Sequence, residues 1–558
     1  MSKNVLLTIF FNLAPTYQMA LELLEKIPYD SIQYFSFRDQ LYANQDAKLR
    51  PFITHFPTAE NIGRYIAQLS FDKAKRQVLH EALGQQYANR KTHAAVWANL
   101  NLLAENDTFT VTCAHQPSLF LGPLYNVFKI LNTIRLAKDL NEKYKTWRFV
   151  PVYWNGGEDH DFQEVNHLDL FKNHLEWQTK QSGSVADFTM DAALDELVNQ
   201  LAEIMGDKTE GATKLMTTIK SIYRSDAPYT YGEAHSLLLN ELFGHLGLVV
   251  INPWEHALKK LFAGVMIHEV AEQSSFNCVM ETTQKLEKLG LKAQATPREI
   301  NLFYKNKGIR ERLVKNQAGG YQVLNSDINW SEEELKALIY REPELFSPNV
   351  VLRPLYQATI LPDIIFVGGG AEIAYWMERF DLFAFYKTAF PILVRRSSAQ
   401  VLEASTYEKW QKLGFSFAKH WQFTNDELIK NYLDRVTSGS LSLDKEKTAL
   451  IKIFDAIAQK AQSTEPTLVA TTEAERQKQL KVLEQLESRL MRAEKQKNEQ
   501  ALSQIRLLKQ KLTPNDALQE RFESFMPLYA QWGTNLFDQL LTLLDPMERS
   551  YFVLLNKA

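Results

Sequence analysis

Cysteine is nearly absent. Only Cys113 and Cys278 occur in 558 residues, which excludes a disulfide scaffold and a four-thiolate metal site and suits a reducing compartment. No H-E-x-x-H or paired-cysteine spacing occurs, so no zinc site is expected. Long apolar runs are missing as well, and none reaches the roughly 20 residues needed to cross a bilayer. The short run Val5 to Phe11 has no cleavage pattern behind it and does not read as a signal peptide. Charge of one sign is also lacking. With 63 Lys+Arg against 66 Asp+Glu the net charge is -3, which offers nucleic acid no general attraction. Lys143, Lys145 and Arg148 read as a solvated face. A cytoplasmic protein with neither nucleic acid nor membrane as partner is expected.

What is present is ordinary globular composition, 45% hydrophobic and 23% charged, in a chain too long for one compact core. The stretch Thr108 to Asp161 organises it as a β-α-β unit. Phe109 to Ala114 is an apolar, β-branched strand. His115-Gln116-Pro117-Ser118 and Gly122-Pro123 punctuate a turn, and from Leu124 apolar residues recur at helical spacing, with Pro123 suited to the start. Phe149 to Trp154 is a second strand, followed at once by Asn155-Gly156-Gly157-Glu158-Asp159-His160-Asp161. Cys113 reads as a small buried hydrophobe; His80 and His93 are isolated.

Further strands fall at Gly247 to Ile251, Leu361 to Val367 and Pro391 to Val394, alternating with helices, so the fold class is α/β with a Rossmann-like, mainly parallel sheet. The core is expected over 1–400, opening with a mixed, mostly helical region and carrying insertions near 171–240 and 291–345. Glu255 to Leu289 reads as one long amphipathic helix closed by Gly290. A helical connector over 401–470, a coiled-coil arm over 471–513 and a helical segment over 514–558 should follow. Glycine is absent between Gly439 and Gly533. Thr472 with Glu475 reads as a capping box, and Leu483, Leu486, Leu490 and Ala493 follow at 3-4-3 spacing. Beyond Glu494 to Gln500, Ala501, Ile505, Leu508 and Leu512 resume out of phase, which a hairpin tip near 495–499 or a stutter explains. The leucine seam suggests a homodimer through this arm.

Ligands of open α/β sheets sit beyond the carboxyl ends of the strands, where the polar turns fall. Gly368-Gly369-Gly370 lies between a strand and a helix, so backbone N–H groups and the helix N-terminus can meet an anion. It is not a full G-x-G-x-x-G, since Ile373 takes the last position, which argues against a dinucleotide oxidoreductase. Arg353 and Arg395-Arg396 are cationic partners for carboxylate or phosphate. Glu158-Asp159-His160-Asp161 is the densest ionisable cluster, suited to orienting an amine, to general-base work by His160, or to holding Mg²⁺. A bare acidic loop remains the structural alternative.

Three blocks, HQPSLFLGPLYNVFK, VPVYWNGGEDHDFQEVNH and NVVLRPLYQATILPDIIFVGGGAEIAYW, resemble the bacterial family of bacillithiol-biosynthesis cysteine-adding enzymes, in order and spacing along the whole chain. The first turn departs from the family's G-Q-Q-x-G-L-x-x-G-P: His115 stands for the first Gln and Ser118 for a Gly. The resemblance implies a Rossmann-like core, a coiled-coil domain, and the final step of bacillithiol synthesis, joining L-cysteine to the amine of glucosaminyl malate. Catalytic roles are expected for Glu158, Asp159 and His160. Substrate or nucleotide contacts are implied at His115, Gln116, Gly122, Tyr125, Asn155, Gly157, Asp161, Arg353, Gly368, Gly369, Gly370, Glu372, Tyr375, Trp376 and Arg395. Amide formation in water needs an activated carboxyl, most simply from ATP. His115 and Gln116 sit where class I aminoacyl-tRNA synthetases carry their nucleotide-binding histidine motif, whereas Val394 to Ser398 replaces the synthetase lysine loop. The rival reading is a non-catalytic nucleotide- or metabolite-binding protein that recruits partners through its coiled coil.

Overall fold

The computed structural model describes residues 21–306, 308–437 and 442–557; the run Val5 to Phe11 and Gly439 lie outside them. The chain divides into two compact units, Met1–Val401 with Glu520–Ala558, and Leu402–Gln519.

The first unit is built on five parallel strands, in the order Ile392–Arg395, Asp363–Gly368, Thr108–His115, Arg148–Asn155, Val249–Ile251. All five are runs in which the sequence shows buried strands. Alternation along each strand divides its side chains between two cores. Val111, Cys113, Tyr153, Val250 and Val367 face one; Ala114, Val152, Trp154, Ile251 and Phe366 face the other. Helix Leu124–Lys143 covers the first face with Val127, Ile130, Leu131 and Ile134, and helix Arg353–Ile360 joins the second. Each such side chain stabilises the fold by about 1.5–3 kcal/mol when fully buried. Cys113 is wholly enclosed, and burial pushes its thiol up to about 12. The central strand Thr108–His115 is flanked by strands reached in opposite directions along the sheet, so its carboxyl end is the topological switch point.

The segment near 171–240 supplies a hairpin strand and three helices, Ala192–Met205, Glu210–Ile222 and Tyr231–Phe243. The segment near 291–345 supplies most of an antiparallel sheet, including Leu302–Asn306 and Ile309–Lys315, and helix Glu332–Arg341.

Four expectations need correction. The single helix over Glu255 to Leu289 is three, His256–Lys260, Ala263–Glu272 and Ser274–Glu287, the last break made by Gln273 at φ 54. The segment 514–558 ends in strand rather than helix: Ser550–Asn556 pairs antiparallel with Leu21–Pro28, the strand of the mixed, mostly helical start. Thr472 caps nothing. It lies inside helix Leu468–Lys497, and its hydroxyl donates to the Leu468 carbonyl at 3.0 Å.

In the second unit, Asp444–Thr464 and Leu468–Lys497 form an antiparallel helical hairpin. Its pairs run in opposite senses, Lys447 with Glu487 at 2.5 Å and Arg476 with Asp455 at 2.9 Å. The hairpin turn therefore lies at Glu465–Thr467, not near 495–499, where Asn498 (φ -103) only interrupts the helix before Glu499–Leu512 resumes. Ile453, Ile457, Val482, Leu486 and Leu490 stand exposed on the hairpin. Among the described residues no helix is long and apolar enough to cross a membrane.

Candidate active site

Beyond the carboxyl ends of the three middle strands opens a cleft of about 590 Å³. Its floor is the end of the central strand. Gln116 O has to accept, so Nδ1 of His115 carries the proton and donates to it at 2.9 Å; Nε2 then accepts from Tyr125 Oη at 2.8 Å. Burial, with Lys129 nearby, pushes the imidazole down to about 4, so His115 is neutral at pH 7. Gln116 Nε2 donates to Asp159 Oδ2 at 2.9 Å, and Gly156 N–H donates to the His115 carbonyl at 2.8 Å. The two turns are thereby stitched together.

One wall is the turn after Arg148–Asn155. Asn155 is buried and donates to Gly232 O at 2.9 Å and Ser236 Oγ at 3.0 Å. Glu158 is 9% exposed and bonded by Lys259 Nζ at 2.8 Å. Burial drags the Lys259 ammonium down to about 8 despite Glu158. Arg310, from the strand Ile309–Lys315, lies 3.5 Å from Asp159.

The opposite wall is the glycine turn. Helix Gly370–Met377 starts there, leaving its first N–H groups without helical partners. Glu372 Oε2 reaches back to Gly369 N–H at 2.8 Å and accepts from Lys129 Nζ at 2.6 Å. Burial alone would raise this carboxyl, but Lys129 and Gly369 N–H hold it below the usual range. Arg353 donates to Gln357 at 3.0 Å and to Tyr375 Oη at 2.8 Å. Arg396 donates to Glu520 at 2.8 Å, while its Nε–H is buried without a partner.

Among the expected residues, His115, Gln116, Tyr125, Asn155, Glu158, Asp159, Arg353, Gly369, Gly370, Glu372 and Tyr375 line this cleft. Seven do not. His160 is exposed, its side chain at 49%, and lies against Arg310 and Phe303. Asp161 is exposed. Gly122 is a turn glycine (φ 62), Gly157 is pressed on Ala186, and Gly368 on the Phe366 ring. Trp376 is fully buried, stacked on Phe366 at 4.4 Å. Arg395 points away from the cleft to Asp39, its guanidinium 4.1 Å from the Tyr29 ring centroid; the neighbouring Arg396 takes the cleft position.

The family model described as "Bacillithiol biosynthesis BshC, N-terminal Rossmann-like domain" matches residues 24–397, and "Bacillithiol biosynthesis BshC, C-terminal coiled-coil domain" matches 399–555. The chain belongs to the BshC family. It is 35% identical over 534 residues to "Putative cysteine ligase BshC" of Christiangramia forsetii, covering 95% of this chain and 98% of the relative. The protein of the same name from Flavobacterium psychrophilum is 35% identical over 537 residues, covering 95% and 98%. That from Bacillus mycoides is 28% identical over 462 residues, covering 79% and 84%. The BshC coiled-coil model runs through residue 555, yet Glu520–Ala558 packs with the first unit in this BshC-family chain.

Sequence reasoning missed Lys129, Glu164, Arg310 and Arg521 on the cleft, and Lys259 and Lys305 behind Glu158. For Lys129 a signal existed: a lysine among Val127, Phe128, Ile130 and Leu131 on a buried face is costly unless paired. The others come from segments whose patterning gives no hint of this cleft. Among the described residues no group of three or more His, Cys, Asp or Glu is arranged to hold a metal ion.

Proposed function

We propose that this chain is a carbon–nitrogen ligase that joins the carboxyl of L-cysteine to the amine of glucosaminyl malate, the last step of bacillithiol biosynthesis, in the cytoplasm. One observation carries the reading beyond family membership. The cleft sets carboxylates (Glu158, Asp159, Glu164) beside the second strand's turn and guanidinium groups (Arg353, Arg396) beside the glycine turn, with neutral His115 between them. An amine fits the first set and a carboxylate or phosphate the second.

The buried, unpartnered Nε–H of Arg396 lies beside Gly369, where an added Cβ would sit 3.6 Å away. That gap fits an anionic group such as the phosphates of ATP, with any Mg²⁺ carried on them. ATP, held by Gly370, Ala371 and Arg396, would supply activation of the cysteine carboxyl. The chain's own residues do the rest. Asp159 and Glu158 orient the amine, and Arg353, braced by Gln357 and Tyr375, holds a carboxylate. The attacking nitrogen would form the C–N bond as the carbonyl carbon's bond to the activating group breaks and that group leaves with the electron pair, while a carboxylate of the turn takes the nitrogen's proton.

The test is cysteine-dependent formation of bacillithiol from glucosaminyl malate by the purified protein, with ATP present or withheld, read by thiol mass spectrometry. Cells lacking the protein should accumulate glucosaminyl malate. Binding of both substrates without product, with cell extract added to supply any missing cofactor, would favour the non-catalytic binding protein instead.

A further inference from the structure

Glu158 and Lys259 form an ion pair in a place where folding alone does not require one. Lys259 has no exposure; its Nζ donates to Glu158 Oε2 at 2.8 Å and to the Phe346 carbonyl at 2.9 Å, and lies 4.9 Å from the Tyr356 ring centroid. Packed apolar residues commonly replace such a buried pair at no loss of stability. Glu158 lines the cleft, yet its Oε1 is shielded from solvent and receives no hydrogen bond from the protein. Lys305 Nζ stands 3.8 Å from that oxygen, beyond hydrogen-bond reach. A carboxylate oxygen left unmet beside a cleft invites a donor from a ligand.

The charges around the pair come from several elements. Asp159 lies on the same turn, and Arg310 stands on the neighbouring strand. Lys305 is shared with Asp187 at 3.6 Å, and the Tyr356 phenol, raised by burial, lies below. Lys259 is the group whose ammonium bonds Glu158 directly.

We infer that Lys259 is a positioning residue for the amine subsite. It holds and orients the Glu158 carboxylate so that Oε1 receives an N–H of the amino-sugar substrate, without itself touching that substrate. This rests on the ligase reading and names the group that makes its amine subsite selective. Because burial already drags Lys259 down to about 8, selectivity should fade as pH rises past that value.

The experiment is calorimetry on the full-length protein with glucosaminyl malate and its N-acetylated counterpart, which lacks the basic amine. The wild type should prefer the amine by about tenfold or more at pH 7, the scale of a hydrogen bond to a charged group. Lys259→Met should lose most of that preference, and Lys259→Arg should restore much of it and carry it beyond pH 9. Should Lys259→Met fail to fold, the double variant Glu158→Gln with Lys259→Met removes both charges together and should fold without the preference. A wild type with no preference for the amine overturns both the ligase reading and this inference. A wild type that prefers the amine, with a folded Lys259→Met or double variant that keeps the preference, overturns this inference alone.

Discussion

Arg395 grips Asp39 across 356 positions of sequence, Nη2 to Oδ2 at 3.0 Å and Nε to Oδ1 at 2.5 Å. The pair is buried at the edge of the glycine turn, and a Cβ on Gly370 would run into the Asp39 carboxylate. Gly370 is therefore small because of this pair as well as any ligand. Removing one partner leaves a buried charge uncompensated, so Asp39→Ala should cost about 3–5 kcal/mol. Asp39→Leu with Arg395→Met should cost clearly less. Thermal melting of both variants decides; equal losses would refute the account.

Gly369 differs from its neighbours. A methyl there meets Arg396 Nε and Glu372 Oε2 only at ordinary contact distance, 3.6 Å. Gly369→Ala should fold and melt near the wild type, and Gly369→Val should weaken binding of ATP or cysteine further by filling the space before Arg396. Unchanged affinities by calorimetry would make the glycine purely structural.

The acidic turn separates two roles. Glu158 lines the cleft and His160 does not. Glu158→Gln should lower turnover by about 10²-fold, the scale of a lost proton acceptor or orienting charge. His160→Asn should stay within about tenfold of wild type, below the usual general-base range. A collapse of activity in the His160 variant would return the general-base role to the imidazole.

His235 offers a pH test of stability. It is fully enclosed, and burial pushes its imidazole from 6.5 down to about 3. The unfolded chain takes up that proton near pH 6.5 while the native chain resists until about 3. The contribution is thus complete above pH 6.5 and lost progressively as pH falls toward 3. The melting temperature of His235→Gln should fall less steeply between pH 7 and 4 than that of the wild type. Parallel slopes would show the group to be irrelevant.

The helical hairpin predicts association. Val482, Leu486 and Leu490 are 46%, 44% and 47% exposed on it, and such a stripe asks for cover. Leu486→Glu with Leu490→Glu should turn a dimer into a monomer by light scattering, with helix content kept. A dimer surviving both charges would place the interface elsewhere.

The parallel sheet was legible because its strands are short apolar runs ended by polar turns. The terminal pair was not. Leu21–Pro28 reads LELLEKIP, rich in helix formers, and becomes a strand because Ser550–Asn556 lies beside it. Gln273 breaks a helix in a left-handed conformation that its residue type does not announce. At the site, the turns were visible as Gly and acidic clusters. Lys259 was not, because a lysine in His256–Lys260 looks like any solvated helix position until the fold buries it. The choice between Arg395 and Arg396 depends on strand alternation, which flips with one residue of register.

That terminal pairing has a consequence for how the molecule is made. The strand Leu21–Pro28 leaves the ribosome early, and its partner Ser550–Asn556 follows more than five hundred residues later. Until then the early strand has an open edge, and the unit that carries the cleft lacks its last strand. A nascent chain stalled anywhere short of Ser550 should remain a client of chaperones and proteases, however complete the turns that line its cleft.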